Sequence, residues 1–536
     1  MSNAEDTFAK ILSHLRETAV LESVNDTIQW DDRTYRPEAG GDYRARQVTL
    51  LSGLVHRRRT DPCLGEWLAE IEAQLPPSGT PEGPPGNPAA GDAVVTVPMQ
   101  RSHAVGRHED EVGQDRITTI RMLRREYDRL SKMPQQLVQE LTDVAMRGQQ
   151  AWIKARQERD FSIQQPYLER MIALKQEQAQ AIGYVTCPYD ALLDEFEPGA
   201  RTETITSVFA KLRDQLVPLV HAVAGSGRTA PVEILHREFP RDAQAEFGKL
   251  AATKIGFDFE RGRLDETAHP FCTTLGPHDC RITTRYDEQF FSSAFFGTLH
   301  EAGHGIYEQG LRAEWFGLPP GRAASMGIHE SQSRLWENLV GRSQPFWHYF
   351  LPIARRSFSA ALRDVDFEQF CFAINHVQPS LIRVEADEAT YNLHIIIRFE
   401  LEQELIDGRL QVAELPEAWN QRYEKYLGIT PAHDGDGVLQ DIHWPAALIG
   451  YFPTYALGNL YAAQFFEQAR DDLGDLEQQV ARGEFAPLRE WLRQNVHRHG
   501  QRFSPAELVR RISGKSLTHE PLIAHLRTKL AYYGGS

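Results

Sequence analysis

Two histidines and one glutamate in FFGTLHEAGHGIYEQG, residues 295–310, have the types and the spacing of a metal site. His300 and His304 are four residues apart, so on a helix their side chains project from nearly the same face and can reach one ion. Glu301 would lie about 100° around that helix, where a carboxylate is suited to hold a water molecule rather than to bind the ion. These residues predict metal-assisted hydrolysis.

The residues around this motif have the spacing of a buried helix. Phe291, Phe295, Leu299, Ala302 and Ile306 recur at steps of three and four residues, which predicts one apolar helix face. Polar groups are tolerated on a buried helix only if they are satisfied. The alternative interpretation is a pair of surface histidines beside a glutamate, because HExxH on its own is only moderately specific.

A third ligand does not come from the same helix. The metzincin arrangement requires a glycine three residues and a histidine six residues beyond His304, but Tyr307 and Gly310 occupy these positions. Glu308 would lie ~12 Å along the helix axis from His300, too far to share an ion with it. The remaining ligand must therefore belong to another element.

The segment MGIHESQSRLWENLVG, residues 326–341, predicts a second buried helix. We expect Glu330, near its start, to be the third ligand, and Glu337, two turns further along, is the alternative. Two histidines and one glutamate leave the fourth position of zinc open to water, which is typical of a catalytic site. The other interpretation of Glu330 is an exposed acid that complements the helix dipole.

The elements that position these residues are predicted to be mostly helical. Helical spacing with charged outer faces covers residues 116–183, and helical spacing returns from residue 289 onward. Between residues 255 and 288, the segments IGFDFERGRLDE and CRITTRYDE alternate in residue type and carry β-branched or aromatic residues. This pattern predicts a small antiparallel sheet immediately before the HEAGH helix.

The chain is predicted to be organised around one continuous fold. Residues 1–74 are expected to form an N-terminal helical lid segment that belongs to the same fold as a catalytic domain of residues 116–536. The stretch LPPSGTPEGPPGNPAAG, residues 75–91, cannot pair its backbone regularly and has almost nothing to bury. Because polar sequence follows it, we predict an insertion or surface loop at residues 75–115.

Charge and composition argue against several classes of partner. The chain has 536 residues and a formal net charge of -16, which opposes binding to nucleic acid or to an anionic membrane. We find no apolar run long enough to span a bilayer and no N-terminal secretory signal. Five scattered cysteines suit free thiols in a reducing compartment. We therefore expect a cytoplasmic protein.

Six short motifs follow one another along the chain. They are HPF at 269–271, DCRIT at 279–283, HEAGH at 300–304, HESQ at 329–332, IRVEAD at 382–387 and GVLQDIHW at 437–444. With these motifs in this order, the sequence resembles the carboxypeptidase Taq family of zinc metallocarboxypeptidases. The similarity extends over nearly the whole chain.

The resemblance implies a fold, a cofactor and roles for the residues of these motifs. It implies a largely helical, deeply grooved, gluzincin-like fold that is usually a homodimer. It also implies one zinc ion per subunit, held by His300, His304 and Glu330, with Glu301 as the catalytic base. Cobalt or manganese is compatible with the same ligands. The insertion at 75–115 departs from the family pattern.

Three residues near the C-terminal motif are candidates for stabilising negative charge in the transition state. His443 lies in the turn-rich segment GDGVLQDIHWP, which is typical of a loop that brings a side chain to a site. Tyr451 and Tyr455 follow in YFPTY. We expect His443 and one of the two tyrosines to donate hydrogen bonds to the oxyanion. The alternatives are packing of His443 against Trp444 and core packing of the tyrosines.

A carboxypeptidase needs a group that recognises the free carboxylate of its substrate, and two arginines are candidates. A guanidinium binds a carboxylate through two hydrogen bonds. Arg383 and Asp387 are four residues apart in a helically patterned segment, so Asp387 is expected to hold Arg383 by an i,i+4 pair. The residues alone favour a routine helix salt bridge, and it is the resemblance at IRVEAD that implies the carboxylate clamp. Arg281 alternates with Asp279 and Thr283 at strand spacing, on a face that is a candidate for lining the groove, and the strand backbone is a candidate for pairing with extended substrate. The alternative for Arg281 is a structural ion pair with Asp279.

Two further histidines are candidates for contacts with the substrate. His269 precedes a proline just before the predicted strand, where it supports the groove or fills a tight turn. His329 is adjacent to Glu330 and is a candidate donor to the substrate.

Together these residues predict a zinc carboxypeptidase that releases single amino acids from the C-termini of peptides. One alternative is a helical zinc oligopeptidase or dipeptidase with the same ligands. The other is a non-catalytic peptide-binding homologue, although the sequence retains every ligand and the base.

Overall fold

The computed structural model describes residues 2–74 and 104–534, with side chains from residues 4 to 74 and 112 to 534. Residues 75–103, most of the predicted insertion, lie outside the described residues. Residues 104–115, which we assigned to the same loop, form the first turns of a helix that begins at Ala104.

The described residues are mostly helical, as predicted. The helices that precede the sheet, α1 to α9, span Ser2–Thr34, Gly41–Arg59, Pro62–Glu72, Ala104–Ser131, Gln135–Glu158, Gln165–Ile182, Pro188–Leu193, Thr202–Gly225 and Arg241–Ile255. The helices that follow it, α10 to α21, span Phe291–Gly310, Met326–Arg334, Gln344–Ser357, Ser359–Leu362, Phe367–Ile374, Glu388–Ile406, Leu415–Leu427, Pro453–Leu473, Leu476–Ala481, Ala486–Asn495, Pro505–Ser513 and Glu520–Leu530. None of the helices in the described ranges has the length and apolar character that a membrane span needs.

The predicted sheet is present but is mixed rather than antiparallel. Its strands are β1 (Gly262–Glu266), β2 (Cys272–Gly276) and β3 (Asp279–Thr284), in the order β1-β3-β2. Strands β2 and β3 are antiparallel, whereas β1 and β3 are parallel. The alternating pattern predicts strands but not their order, and inserting β3 between two oppositely directed strands makes one pair parallel. Because β3 is paired on both sides, its backbone is not available to substrate, and that expectation was wrong.

Helix α10, which carries HEAGH, packs on one face of this sheet. The Cys280 sulfur lies 4.0 Å from the Gly305 carbonyl oxygen, and the Thr284 hydroxyl donates to the Ala294 carbonyl at 3.3 Å. Ile282, between these two residues on the same face of β3, is completely buried. Side chains on a strand alternate between faces, so these residues place Arg281 on the other face.

Helix α11 crosses α10 where two backbones touch. A Cβ atom added to Gly303, in the middle of HEAGH, would lie 2.6 Å from the Gln332 carbonyl oxygen and 2.7 Å from Ser333 Cα. Helix α11 begins after Ser325, whose hydroxyl accepts a hydrogen bond from the amide of Ile328. It continues as a π-helix over Leu335–Val340, a rare form that occurs frequently at functional sites.

Two apolar clusters hold the described residues together. The larger one contains α10, α11 and most of the other helices. The smaller one joins α1, α3 and α4 to Leu318 and comprises Ile11, Leu15, Leu64, Leu68, Ile71, Ile120, Leu123 and Leu318. The N-terminal helices thus have a small core of their own.

Candidate metal centre

Helices α10 and α11 bring three potential metal ligands together. The Glu330 Oε2 atom lies 3.5 Å from His304 Nε2 and 3.9 Å from His300 Nε2. The donor atoms of the three residues all lie within 4.8 Å of one another. Because zinc binds nitrogen and oxygen donors at about 2 Å, donors this close together can share one ion after small adjustments.

The second nitrogen of each histidine is already engaged. His300 Nδ1 lies 2.8 Å from Glu337 Oε2, and His304 Nδ1 lies 3.1 Å from the carbonyl oxygen of His329. When Nδ1 donates its proton to such an oxygen, Nε2 is left with its lone pair free to bind an ion. Glu337, our alternative ligand, therefore orients a histidine, and Glu330 faces the two free nitrogens.

Arg334 is a member of this centre that we did not predict. Its Nε atom donates to Glu330 Oε1 at 2.7 Å, and its Nη1 atom lies 3.4 Å from Glu337 Oε2. This contact occupies one oxygen of Glu330 and leaves Oε2 facing the histidines. The sequence held a signal, since Arg334 follows Glu330 by four residues on a predicted helix, which is the spacing of an intrahelical ion pair.

Burial and the neighbouring charges favour the form that binds metal in His304 and in Glu330. Burial lowers the pKa of His304 to about 3, so its imidazole is neutral. Burial also lowers the pKa of His300, but Glu330 and Glu337 outweigh it and the net shift is upward. Although burial raises the pKa of Glu330, Arg334 and the two histidines hold it well below its usual range. Glu330 is therefore a carboxylate at neutral pH.

Glu301 is buried beside the three donors and is incompletely satisfied. It is 6% exposed, and its Oε2 atom has no hydrogen-bond partner among the described residues. Burial raises the pKa of Glu301 to about 7, with the charge of His300 lowering it and that of Glu330 raising it. A buried carboxylate oxygen without a partner is costly, and a water molecule held beside a metal ion would satisfy it. The residues present thus fit a divalent metal with a water molecule.

His329 supports a ligand rather than offering a free Nε2 atom to the substrate. Its ring stacks on that of His304, with centroids 4.4 Å apart. Its Nε2 atom lies 2.9 Å from Glu308 Oε1, and the other oxygen of Glu308 accepts from the Thr274 hydroxyl at 3.0 Å. The expected contact with the substrate is therefore not supported for this nitrogen.

His443, Tyr451 and Tyr455 form one cluster. His443 lies in the connection between α16 and α17, and its Nε2 atom is 3.1 Å from the Tyr455 hydroxyl. The Tyr451 ring lies 5.3 Å from that of Tyr455 and 5.6 Å from that of His443. Burial lowers the pKa of His443 to about 4, and burial followed by the charge of Glu330 raises that of Tyr451 to about 12. The hydroxyl of Tyr451 therefore keeps its proton at neutral pH.

Arg383 is buried in this region but is not paired with Asp387. Its Nε and Nη2 atoms donate to Asp441 Oδ1 at 3.0 and 2.8 Å, and Nη1 donates to the Tyr391 hydroxyl at 3.0 Å. Asp387 instead caps α15, where it accepts from the amides of Ala389 and Thr390. The predicted i,i+4 pair is wrong because α15 begins only at Glu388, so the two residues do not share a helix.

One polar chain connects Arg383 to the metal ligands. The Arg334 guanidinium lies over the Tyr391 ring, 4.4 Å from its centroid, and the hydroxyl of the same tyrosine accepts from Arg383. Asp441 continues the chain, because its Oδ1 atom also lies 3.8 Å from His443 Nδ1. The IRVEAD and QDxHW motifs therefore meet the HESQ helix in one region.

Arg281 and His269 lie apart from this chain. Arg281 makes a bidentate pair with Asp279 at 2.9 Å for each contact, and its guanidinium lies 4.4 Å from the centroid of the Trp30 ring on α1. The structural alternative that we considered for Arg281 is thus the observed one. His269 is exposed in the connection between β1 and β2.

Comparisons with known proteins agree with this arrangement. The sequence model of the carboxypeptidase Taq (M32) metallopeptidase family matches residues 10–530. Thermostable carboxypeptidase 1 of Thermus thermophilus is 44% identical over 537 residues, which cover 98% of this chain and 99% of that protein. Carboxypeptidase 1 of Bacillus subtilis is 37% identical over 97% of this chain and 96% of its own length.

A solved structure shows the same likeness in three dimensions. The crystal structure of M32 carboxypeptidase from Deinococcus radiodurans R1 aligns with a TM-score of 0.89 and 38% identity over 99% of this chain and 100% of that chain. The similarity therefore extends over nearly the full length of both chains and includes the mostly helical fold. It confirms the resemblance seen in the six motifs. With the match complete from the N-terminal helices to α21, the chain belongs to the carboxypeptidase Taq (M32) metallopeptidase family and is a metallocarboxypeptidase.

Proposed function

We propose that the protein releases single amino acids from the C-termini of peptides with one zinc ion held by His300, His304 and Glu330. The observation that carries this proposal is the convergence of these three donors beside the unpartnered Oε2 atom of Glu301. When bound, zinc lowers the pKa of water to about 7 and polarises a carbonyl group. The same donors accept cobalt or manganese as substitutes.

Glu301 acts as the base and then as the acid. Its buried carboxylate accepts a proton from the attacking water and passes it to the leaving amine. Burial raises its pKa to about 7, close to the operating pH at which a group can both take and release a proton. Beside a bound cation, Glu301 would be the ionised carboxylate that a base requires.

Tyr451 donates to the developing negative charge, and Tyr455 and His443 hold it in place. The pKa of Tyr451 responds to Glu330 more than to any other charge, which supports a position facing the metal ligands. Tyr455 is engaged with His443 and lies against Tyr451. A donor aimed at an oxyanion contributes ~3 kcal/mol to lowering the barrier.

Arg383 binds the carboxylate of the substrate. Arginine has five N–H donors, and the contacts with Asp441 and Tyr391 use Nε and one proton of each Nη atom. One N–H therefore remains on each Nη atom to donate to a carboxylate. Arg281 is less suitable for binding the substrate carboxylate, since its guanidinium group is already paired with Asp279 and faces α1.

Several expectations from the sequence stay predictions. These are the deep groove, the homodimer, the cytoplasmic location and the lid formed by residues 1–74. Contacts of His269 with the substrate also stay a prediction.

An assay of matched peptides tests the proposed specificity. We expect stepwise release of C-terminal residues from a peptide with a free carboxylate and little cleavage of its C-terminal amide, because the amide lacks the charge that Arg383 recognises. Equal cleavage of both peptides contradicts the carboxypeptidase assignment and favours an oligopeptidase.

The variant Glu301→Gln tests the proposed base. We expect it to bind zinc at wild-type stoichiometry and to lose activity by a factor of about 10²–10⁴, the usual contribution of a general base. Metal analysis and peptide hydrolysis are measured on the same preparation. Undiminished activity would exclude the role of Glu301, and loss of zinc together with activity would place Glu301 among the ligands.

A further inference from the structure

Glu197 is a buried carboxylate that the proposed mechanism does not use. It lies in the connection between α7 and α8 and is 1% exposed. Its Oε1 atom accepts from the hydroxyls of Tyr461 at 2.8 Å and Ser325 at 3.0 Å, and its Oε2 atom accepts from the Gly327 amide at 3.1 Å. These three donors are neutral, so dipoles rather than a cation surround the carboxylate.

Two of the donors form the beginning of α11, the helix that carries Glu330. Ser325 is the N-cap, and Gly327 lies in the first turn. Amides in the first turn of a helix have no partner within the helix. A carboxylate there accepts from such an amide and interacts favourably with the helix dipole. Glu197 therefore fixes the point at which α11 begins.

The third donor connects α11 to α17. Tyr461 is three residues after Gly458 on α17, and a Cβ atom at Gly458 would lie 2.5 Å from Glu330 Cγ. A Cβ atom at Gly327 would lie 2.7 Å from Glu197 Oε2 and 3.0 Å from the Tyr461 ring. Helix α11 is thus held on α17 at two points one turn apart, at Glu330 itself and at Glu197.

Three hydrogen bonds hold the Glu197 carboxylate in one position on the first turn of α11. They form even though burial raises the pKa of Glu197 to about 7. Metal ligands need neighbours that hold them within about 0.5 Å of the productive geometry.

We propose that Glu197 is a positioning residue for the metal centre. By holding the first turn of α11 against α17, it sets Glu330 Oε2 opposite the Nε2 atoms of His300 and His304. This inference rests on the proposed function of these three residues as zinc ligands. Glu197 itself contacts neither the ion nor the substrate.

Zinc affinity of the full-length protein, measured by competition with a chromophoric chelator, tests the proposal. We expect Glu197→Ala to weaken zinc binding by about 10- to 100-fold, the range for residues that orient metal ligands. Glu197→Gln keeps one carbonyl oxygen but directs an NH₂ group at one of the three donors, so its affinity is expected to be intermediate. At saturating zinc, kcat falls while KM stays within about twofold of wild type, because the contacts with the substrate are intact.

Glu402 provides a matched control. It is completely buried, and its pKa is raised by burial to about 7. It accepts from three neutral donors, the Tyr189 hydroxyl at 2.5 Å, Trp444 Nε1 at 2.7 Å and the Gly450 amide at 3.1 Å, none of which belongs to α11. We expect Glu402→Ala to lower the thermal unfolding temperature as Glu197→Ala does but to leave zinc affinity unchanged.

The outcomes separate the proposal from a structural role and from the proposed function. Wild-type zinc affinity in Glu197→Ala, with a loss of thermal stability equal to that of Glu402→Ala, would overturn the positioning role. Failure of the wild-type protein to bind zinc at His300, His304 and Glu330 would instead refute the proposed function. If Glu197→Ala does not fold, Tyr461→Phe removes one hydroxyl only, and unchanged zinc affinity in that variant contradicts the proposal.

Discussion

Each proposed ligand of the candidate metal centre is held through an atom other than its proposed donor atom. His300 is held through Nδ1 by Glu337, His304 through Nδ1 by a backbone carbonyl, and Glu330 through Oε1 by Arg334. The three atoms left over, two Nε2 and one Oε2, are those that converge. Ligands oriented in this way lose little conformational freedom when a metal binds, which favours affinity.

The contact between Glu337 and His300 gives a first prediction. In Glu337→Gln the negative charge that orients and polarises the imidazole is removed, so we expect zinc affinity to fall by about 10-fold or more. The control is Glu308→Gln, because Glu308 contacts His329 in the same way but His329 stacks on His304 and is not one of the three proposed donors, so we expect a smaller loss of zinc affinity there. Chelator competition measures both variants, and equal losses in the two would contradict a specific role for Glu337.

At the scale of single residues, the sequence predicts the three potential metal ligands but not the groups that orient them. His300 and His304 follow from a four-residue spacing on one helix, and Glu330 was the expected third member. Glu337 was considered only as a ligand, because two acids seven residues apart lie on the same side of a helix and the sequence does not say which one faces Nε2. Its contact with Nδ1 depends on how α10 and α11 cross, which is a tertiary property.

At the scale of elements, the crossing of α10 and α11 depends on glycine. The backbone of α11 occupies the place where Gly303 would have a Cβ atom. Glu330 occupies the corresponding place at Gly458 on α17. The sequence predicts both helices but gives no reason for a glycine inside HEAGH. It likewise misses the pair of Arg383 with Asp441, since these residues are far apart in sequence and the nearby Asp387 matches a simple helical rule. Local sequence patterns thus identify helices and strands. Which side chains pair is decided by contacts between residues far apart in sequence.

The variant Gly303→Ala tests this close approach. A methyl group 2.6 Å from the Gln332 carbonyl forces α11 away from α10. We expect a loss of about 1–3 kcal/mol in the free energy of unfolding, as for other overpacked positions, together with weaker zinc binding. The matched control is Gly225→Ala at the end of α8, where a Cβ atom meets nothing within 4 Å. We expect that variant to retain both stability and zinc affinity, and similar losses in the two variants would contradict the role of the close approach at Gly303.

At the scale of the whole molecule, the contacts that join the N-terminal helices to the rest include a small apolar core and a buried ion cluster around Asp115. Asp115 on α4 is 2% exposed and binds Arg312, just after α10, through two contacts of 2.7 Å. It also accepts from Arg502 Nε at 2.6 Å, and Arg502 is 4% exposed. Helix α1 reaches the sheet as well, where Trp30 lies over Arg281. The one-fold organisation of residues 1–74 and 116–536 stays a prediction, and such contacts support it.

The variant Asp115→Asn tests how firmly this N-terminal layer is attached. Removing the charge of Asp115 leaves two arginines without their shared anion, and breaking a buried ion pair from one side costs about 3–5 kcal/mol. We therefore expect a lower unfolding temperature and faster hydrogen exchange in α1 and α3, whose core contacts α4. The neighbouring Arg116 pairs with Glu5, whose side chain is 70% exposed, so Glu5→Gln is the control and is expected to cost less than about 1 kcal/mol. If exchange in α1 and α3 is the same in both variants, the Asp115 cluster does not hold the N-terminal helices in place.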